Sequence, residues 1–355
     1  MSQLPVDCLN DTFEYLENDM ATLYSCLLVN RLWCNASMRI FWRNGYKYRS
    51  SNFLTLIACL PNESKEILYK YDIIIPTPTS KPPMFNYASF CKVLSVDQVH
   101  YQLGEILRNQ QSIPFENLSM DTHILEQEIF KLFMNQIGSL KKLTFYGYSG
   151  TIIFNFYPGA KDCLKDLSEL SCDSNIPSEF FYQLSQICHN ILSLSINFKQ
   201  DISKNITDLI SAQENLKSLD ISFFTHGTYG SLNNIISLLT KPNNLIKFYL
   251  YAKSHNFSLS FITRFTILKE LELSFNYSND FNDFEKLQLP QLQILRFPIA
   301  SPKYELLIKF LEYNGKNLNE FYVGDNDYDI NLLNLVIDEF CPNLKKFIYR
   351  DYTAN

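Results

Sequence analysis

The eight residues Leu268-Lys269-Glu270-Leu271-Glu272-Leu273-Ser274-Phe275 carry the pattern on which the reading of this chain turns. Apolar side chains stand at positions one, four and six, with charged residues between them. Positions four and six are two apart, so in an extended strand they point to one side while positions three, five and seven point to the other. The same apolar-x-x-apolar-x-apolar triplet occurs upstream at Leu140/Leu143/Phe145, Leu167/Leu170/Cys172, Ile191/Leu194/Ile196, Leu216/Leu219/Ile221 and Leu245/Phe248/Leu250. Downstream it returns at Leu292/Leu295/Phe297, Leu318/Phe321/Val323 and Leu344/Phe347/Tyr349. Weaker copies stand at Cys91/Leu94/Val96 and Phe115/Leu118/Met120, and successive first positions lie 23 to 29 residues apart. One such triplet says little in a chain that is 46% hydrophobic, but nine strong copies at a near-constant step define an internal repeat.

Amphipathic segments separate the triplets. In Thr122 to Met134 the residues Leu125, Ile129, Leu132 and Phe133 form one apolar stripe at helical spacing, and Ser178 to Ile187 and Tyr304 to Leu311 read the same way. A strand and a helix cannot bury their apolar faces alone, and stacking of neighbours completes the core. The expected fold class is therefore α/β: a solenoid with a curved parallel sheet on its concave face and helices on its convex face. This array, about 11 repeats of about 25 residues over 88–355, resembles the leucine-rich repeat family. The openings Cys188-His189-Asn190-Ile191 and Cys341-Pro342-Asn343-Leu344 are similar to its cysteine-containing subclass. The asparagine that the family carries at the ninth position stands only at Asn175, Asn276 and Asn326, so the turns after many strands should depart from the usual asparagine ladder.

The amino-terminal segment is compositionally distinct, since both tryptophans, Trp33 and Trp42, fall within it. Leu9, Phe13 and Leu16 recur at helical spacing, Leu23, Cys26 and Leu27 mark a second short helix, and Val29, Leu32 and Trp33 a third. About forty residues hold only a small core, so a partner surface is expected. The order Leu4-Pro5, Leu9, Phe13, Leu16, Cys26, Leu27, Val29, Arg31, Trp33, Trp42 resembles the F-box motif over residues 1–45. That resemblance implies a small all-α module docking on the Skp adaptor of a cullin ubiquitin-ligase core, with these residues as adaptor contacts. The repeats would then hold an unknown protein for ubiquitination. By the same analogy Leu4, Pro5, Leu9 and Val29 are the contacts proper, and Phe13 and Trp33 the module's core. A repeat scaffold without any ligase role is the alternative.

Residues 46–87 read as a helical connector that caps the array, with four prolines between Pro76 and Pro83 forming a loop. The start lacks a secretory signal and no apolar run approaches a bilayer's thickness, so a cytoplasmic or nuclear protein with no membrane contact is expected. The formal net charge of −6 lacks the basic footprint of a nucleic-acid binder. Ten glycines and the absence of GxGxxG or GxxxxGK[ST] strings argue against a phosphate-cradling loop. Nine scattered cysteines form no CxxC pair and read as small buried hydrophobes. The five histidines share no motif, so no catalytic residue, metal or cofactor is expected.

Positions three, five and seven of each repeat should face the concave side. The early and middle repeats place Asp97, Asp121, Glu169, Asp173, Asp220, Glu270 and Glu272 there, and the later ones Lys247, Tyr249, Tyr251, Arg296, Tyr322, Lys346 and Arg350. Tyrosine and arginine are enriched in binding hot spots. Tyr249, Tyr251, Glu272, Arg296, Tyr322 and Arg350 are therefore the expected target-binding residues.

Overall fold

The computed structural model describes residues 6–77, 83–110, 117–146, 157–199, 204–224, 244–253, 257–325 and 328–349. The chain forms two compact units, Met1–Leu167 and Ser168–Asn355. Their boundary lies inside the expected repeat array rather than between connector and repeats.

The first unit opens with three helices, α1 (Val6–Glu14), α2 (Met20–Leu27) and α3 (Arg31–Phe41). Asp19 and Asn30 cap α2 and α3, their side-chain oxygens accepting the N–H groups of Thr22 and Trp33 at 3.0 Å. Leu9, Phe13, Leu23, Cys26, Ala36 and Ile40 form the buried core, flanked by Leu16, Met20, Leu32, Trp33 and Phe41. Arg43 closes the three-helix module from outside, its guanidinium donating to both Glu14 oxygens at 2.5 and 2.6 Å.

The chain then leaves α3 along a path that imitates a repeat. Trp42 is buried against the rings of Tyr48 and Tyr87, where a repeat would place its first apolar residue. The Arg43 carbonyl accepts the N–H groups of Lys92 and Val93, and Asn44 forms a parallel bridge to Val93. Gly45 follows where the approach is too close for a side chain, since a Cβ there would sit 2.7 Å from the Val93 carbonyl oxygen. This short run covers the edge of strand β1 (Val93–Ser95). Trp42 is thus a structural residue of the cap and not a partner contact. The connector supplies α4 (Ser50–Ala58) and α5 (Asn62–Lys70), and part of the proline-rich loop, 78–82, lies outside the described residues.

Next come α6 (Val96–Arg108), α7 (Leu118–Gln136), β2 (Lys142–Phe145) and α8 (Ala160–Leu164), with β1 and β2 paired in parallel. Of the expected repeat at Phe115/Leu118/Met120, Phe115 lies outside the described residues and the other two are not in a strand. Leu118 and Met120 open α7, and Met120 is exposed. Positions one and four of the triplet are also i and i+3 of a helix, and here the helical stripe through Leu125, Ile129 and Leu132 wins. Ten strands rather than eleven follow among the described residues. Asp97 and Asp121 consequently sit in the first turns of α6 and α7, not on a strand face, and Asp97 accepts the Tyr146 N–H at 2.7 Å.

The second unit is an α/β leucine-rich repeat solenoid. Its strands are β3 (Glu169–Asp173), β4 (Ser193–Phe198), β5 (Ser218–Phe223), β6 (Lys247–Ala252), β7 (Glu270–Phe275), β8 (Ile294–Ala300), β9 (Glu320–Asp325) and β10 (Lys346–Tyr349). Each pairs in parallel with the next, with like repeat positions aligned, as in Leu219↔Phe248↔Leu271↔Leu295↔Phe321↔Phe347. Helices α9 (Ser178–Ile187), α10 (Lys204–Ser211), α11 (Tyr304–Asn314) and α12 (Ile330–Phe340) belong to the connections. After β6 and β7 the expected helix is replaced by short 3-10 turns, Leu259–Arg264 and Phe284–Lys286. These connections fill their space with aromatic rings instead of helical turns. Phe284 stacks on Phe310 at 4.2 Å and meets Phe297 edge-on, and Phe248 packs on Phe261 and Phe265.

Two buried amides couple successive repeats. The Gln213 side chain donates to the carbonyls of Cys188 and Leu209 and accepts the Ile191 N–H at 2.9 Å. Asn314 does the same four repeats later, donating to Leu287 and Phe310 and accepting the Leu289 N–H at 2.6 Å. A further ladder lies at the residue just before the first apolar position. Asn215 donates to the Asn190 side chain, Asn244 to the Glu214 carbonyl, Asn317 to Pro290 and Asn343 to Lys316. Where the family's ninth-position asparagine is sparse, this displaced ladder ties the turns. Substituting Asn314→Leu keeps the branched outline but strands at least two buried backbone groups, each costing about 1–3 kcal/mol. The urea midpoint should fall by the equivalent of at least about 2 kcal/mol with an unchanged m-value.

Candidate functional site

Strands β3–β10 alternate between a buried face and an open one, and the open face is built in rows because the register is in step. One row runs Ser195–Asp220–Tyr249–Glu272–Arg296–Tyr322–Ile348 across β4–β10. Four of the expected target-binding residues, Tyr249, Glu272, Arg296 and Tyr322, are therefore direct neighbours on successive strands, about 4.8 Å apart per strand. Tyr251 lies one row above, beside Ser222 and Ser274, with its ring 5.2 Å from that of Phe224. Arg350 lies outside the described residues. Asp173, expected on the same face, is instead buried and paired with Lys199 at 2.7 Å.

The row below, joined by Arg296 from the row above it, supplies a chain of alternating charge. Lys247 lies 2.9 Å from Glu270, Arg296 bonds to Glu270 and reaches Glu320 at 3.5 Å, and Lys346 lies 3.9 Å from Glu320. Burial works to raise the Glu270 carboxyl, but hydrogen bonds from Lys247, Arg296 and Tyr249 outweigh it and hold the group below its usual range. Arg296 is therefore a neutralised strut of this chain, not a free cation for a partner, which corrects its expected role. The alternation also holds five neighbouring strands together, since like charges on adjacent strands would repel.

Beside this network lies a depression of about 400 Å³ lined by Asp220, Ser222, Tyr249, Leu250, Tyr251, Glu272 and Ser274. Asp220 accepts a hydrogen bond from Ser195 at 3.2 Å. Among the described residues neither Asp220 nor Glu272 has a cation within ion-pair distance. Burial raises the Asp220 carboxyl above its ordinary value. Burial also raises Glu272, helped by the negative charges of Asp220 and Glu270 and opposed by Arg296. Sequence periodicity placed these carboxylates on the right face but did not single out Asp220, because its lack of a cation depends on which side chains the register sets beside it, Ser195 and Tyr249.

A second surface belongs to the three-helix module. Of the residues expected to contact an adaptor, Leu9, Phe13 and Cys26 are consumed by the module's own core, as Trp42 is by the cap. Leu16, Leu27 and Trp33 are half-buried, the Trp33 ring meeting Phe13 edge-on at 5.2 Å, and Arg31 is exposed. Leu4 and Pro5 lie outside the described residues. Val29 is exposed, and so are Val6 and Leu28, the last at 73%. Leu28 was not singled out in the sequence, where it differs in no way from the buried Leu23 and half-buried Leu27 before it.

Two sequence features with chemical potential resolve differently. Cys188 and His189 point apart, Cys188 being buried with its thiol pushed up to about 12 by that burial, and His189 being exposed. His100 and His123, unrelated in the sequence, meet at the fully buried Glu126, with Nδ1 atoms 2.8 and 3.9 Å from its oxygens. No helix among the described residues is long and apolar enough to cross a membrane.

No family model matches the chain, and no curated protein matches it by sequence. Among solved structures it is similar to a leucine-rich repeat protein of Leptospira interrogans, with 19% identity and a TM-score of 0.35 over 69% of this chain. The chain spans 65% of that protein's length. It is also similar to an internalin (InlF) of Listeria monocytogenes, with 15% identity, a TM-score of 0.33 and 73% of each chain covered. The repeat architecture of this chain rests on its own strand order, register and burial.

The Glu126 contact carries a pH signature. Its hydrogen bond raises the His100 imidazole above the ordinary value of 6.5, against the opposing effect of burial and with Asp97 adding a smaller attraction. A raised folded value means that the stabilisation is fully present below pH 6.5 and is lost as pH rises through the folded value. Amide exchange in α6 and α7 should therefore quicken over that rise more than intrinsic chemistry accounts for. His100→Gln should flatten the excess.

Proposed function

We propose that the chain is a non-catalytic substrate receptor of a Skp-cullin ubiquitin ligase, working in the cytoplasm or nucleus. The three-helix module docks on the adaptor, and the open sheet face of the repeats holds the protein to be ubiquitinated. The observation that carries this reading is the pairing, in one chain, of a module that completes its own core with a repeat face that does not complete its polar groups. The module spends Leu9, Phe13, Leu23, Cys26 and Ile40 on itself and still leaves Val6, Leu28 and Val29 in water. The exposed aliphatic pair Leu28 and Val29 at the end of α2 favours a partner surface over a mere cap.

The wider reading, a protein-interaction scaffold without a ligase, draws on the repeat face alone. The two readings part on the module. Co-expression with a Skp adaptor should yield a one-to-one complex that survives gel filtration. Leu28→Asp combined with Val29→Asp should abolish that complex while leaving the thermal melt unchanged, because both side chains are already solvated. Failure of the unaltered chain to co-purify would leave the scaffold reading in its place.

A further inference from the structure

The open face of β5–β10 is electrostatically balanced except at one place. Lys247, Glu270, Glu320 and Lys346 of one row and Arg296, reaching down from the next, pair with one another in sequence. Asp220 and Glu272 lie two strands apart in the row that Arg296 also occupies and face the depression between β5 and β7, Asp220 with no cation beside it and Glu272 with only the already shared Arg296. Two half-buried carboxylates, one with no cation near it and the other sharing Arg296 with Glu270 and Glu320, are an unfavourable arrangement for the isolated chain, and a cation from outside would relieve it. Charge complementarity thus sets the sign of what belongs there.

The rest of the lining narrows the class. Tyr249 and Tyr251 offer aromatic rings, Ser222 and Ser274 offer hydroxyl acceptors, and Phe224, half exposed beside Tyr251, extends the ring surface outward. A flat, delocalised and weakly hydrated cation can stack on such rings while its N–H fork reaches carboxylates. A compact ammonium, strongly hydrated and without a planar fork, uses less of this surface. At about 400 Å³ the depression is also open and roomy enough to admit a side chain projecting from an extended backbone.

We propose that the depression lined by Asp220, Tyr249, Tyr251 and Glu272 seats an arginine side chain of the partner protein, so that the target is recognised through an exposed basic segment. This deepens the reading that the open sheet face binds protein, and it rests on that reading. It does not depend on whether a ligase is attached. Asp220 and Glu272 flank the guanidinium, the two tyrosine rings take its faces, and the Lys247–Glu270–Arg296 network repels a second cation from the neighbouring row.

The test uses the full chain and fluorescein-labelled peptide pools, randomised except for one central position fixed as Arg, Lys, Ala or Glu. The arginine pool should bind about tenfold more tightly than the alanine pool, with lysine between them and glutamate weakest. Asp220→Asn with Glu272→Gln should remove the arginine preference. The same double variant should melt at the same temperature or higher, since it deletes uncompensated charge without changing shape. Equal binding of the alanine and arginine pools would overturn the proposal, as would an arginine preference that survives the double variant. A photo-crosslinker placed at Tyr322, on the same face outside the depression, separates this failure from the wider one. Crosslinked protein without any arginine preference overturns the arginine seat alone, whereas neither crosslink nor pool binding overturns the binding face as well.

Discussion

A single kind of contact sets the geometry of the repeats: one carbonyl, at the second position of a triplet, accepts two consecutive N–H groups from the next strand. Leu192 receives Lys217 and Ser218, Lys217 receives Ile246 and Lys247, and Ile246 receives Lys269 and Glu270. Lys269, Gln293 and Asn319 continue the series, and Arg43 and Lys92 show the same contact in the first unit. Each such rung leaves the next strand no freedom to slip. A slip by one residue would turn every buried side chain outward, so the rung and the apolar triplet enforce the same register. The buried amides of Gln213 and Asn314 complete the arrangement at turns where the backbone alone cannot satisfy its groups.

Constant register has a consequence for chemistry. Residues tens of positions apart in the chain become lateral neighbours, so charge on the open face is decided row by row. Along one strip three cations alternate with two anions, Arg296 reaching into it from the row above. In the next, Asp220 and Glu272 are left with tyrosines and serines around them. The face thus combines a rigid ion-paired strip with a local excess of negative charge, and both follow from side chains held by strands whose backbones cannot shift. The same rigidity lets the bulge of β8 near Pro298 be accommodated only opposite Gly324, where a Cβ would lie 2.7 Å from three carbonyl oxygens.

Much of this was legible in the sequence. The strands β2–β10 stand where the strong triplets predict them, and α9 spans Ser178–Ile187 as its apolar stripe indicates. The open-face row through Tyr249, Glu272, Arg296 and Tyr322 follows from counting positions. Other features were present in the letters without being readable. The asparagines before Ile191, Leu216, Leu245, Leu318 and Leu344 recur at the repeat step, yet their partners are backbone carbonyls or side chains of a neighbouring turn. Leu118 and Met120 satisfied the strand pattern and lost to a helix whose stripe begins a few residues later. The meeting of His100 and His123 at Glu126 has no periodic signal at all.

The sequence by itself determined the repeat, its step, and which face of each strand turns inward, because strand periodicity and hydrophobic burial are local properties that any one unit displays. It also determined that the first forty-odd residues differ in kind from the rest. Only the tertiary structure decided which charges are spent within the chain and which remain for a partner. Arg296 looks like a binding residue until Glu270 and Glu320 are seen beside it, and Leu28 looks like a core residue until Leu23 and Cys26 are seen to fill that core. Trp42 looks like an adaptor contact until it is seen standing in for a repeat's first residue. Pairing and burial are properties of neighbours, and which neighbours a residue meets is set by the stacking of units far apart in the chain.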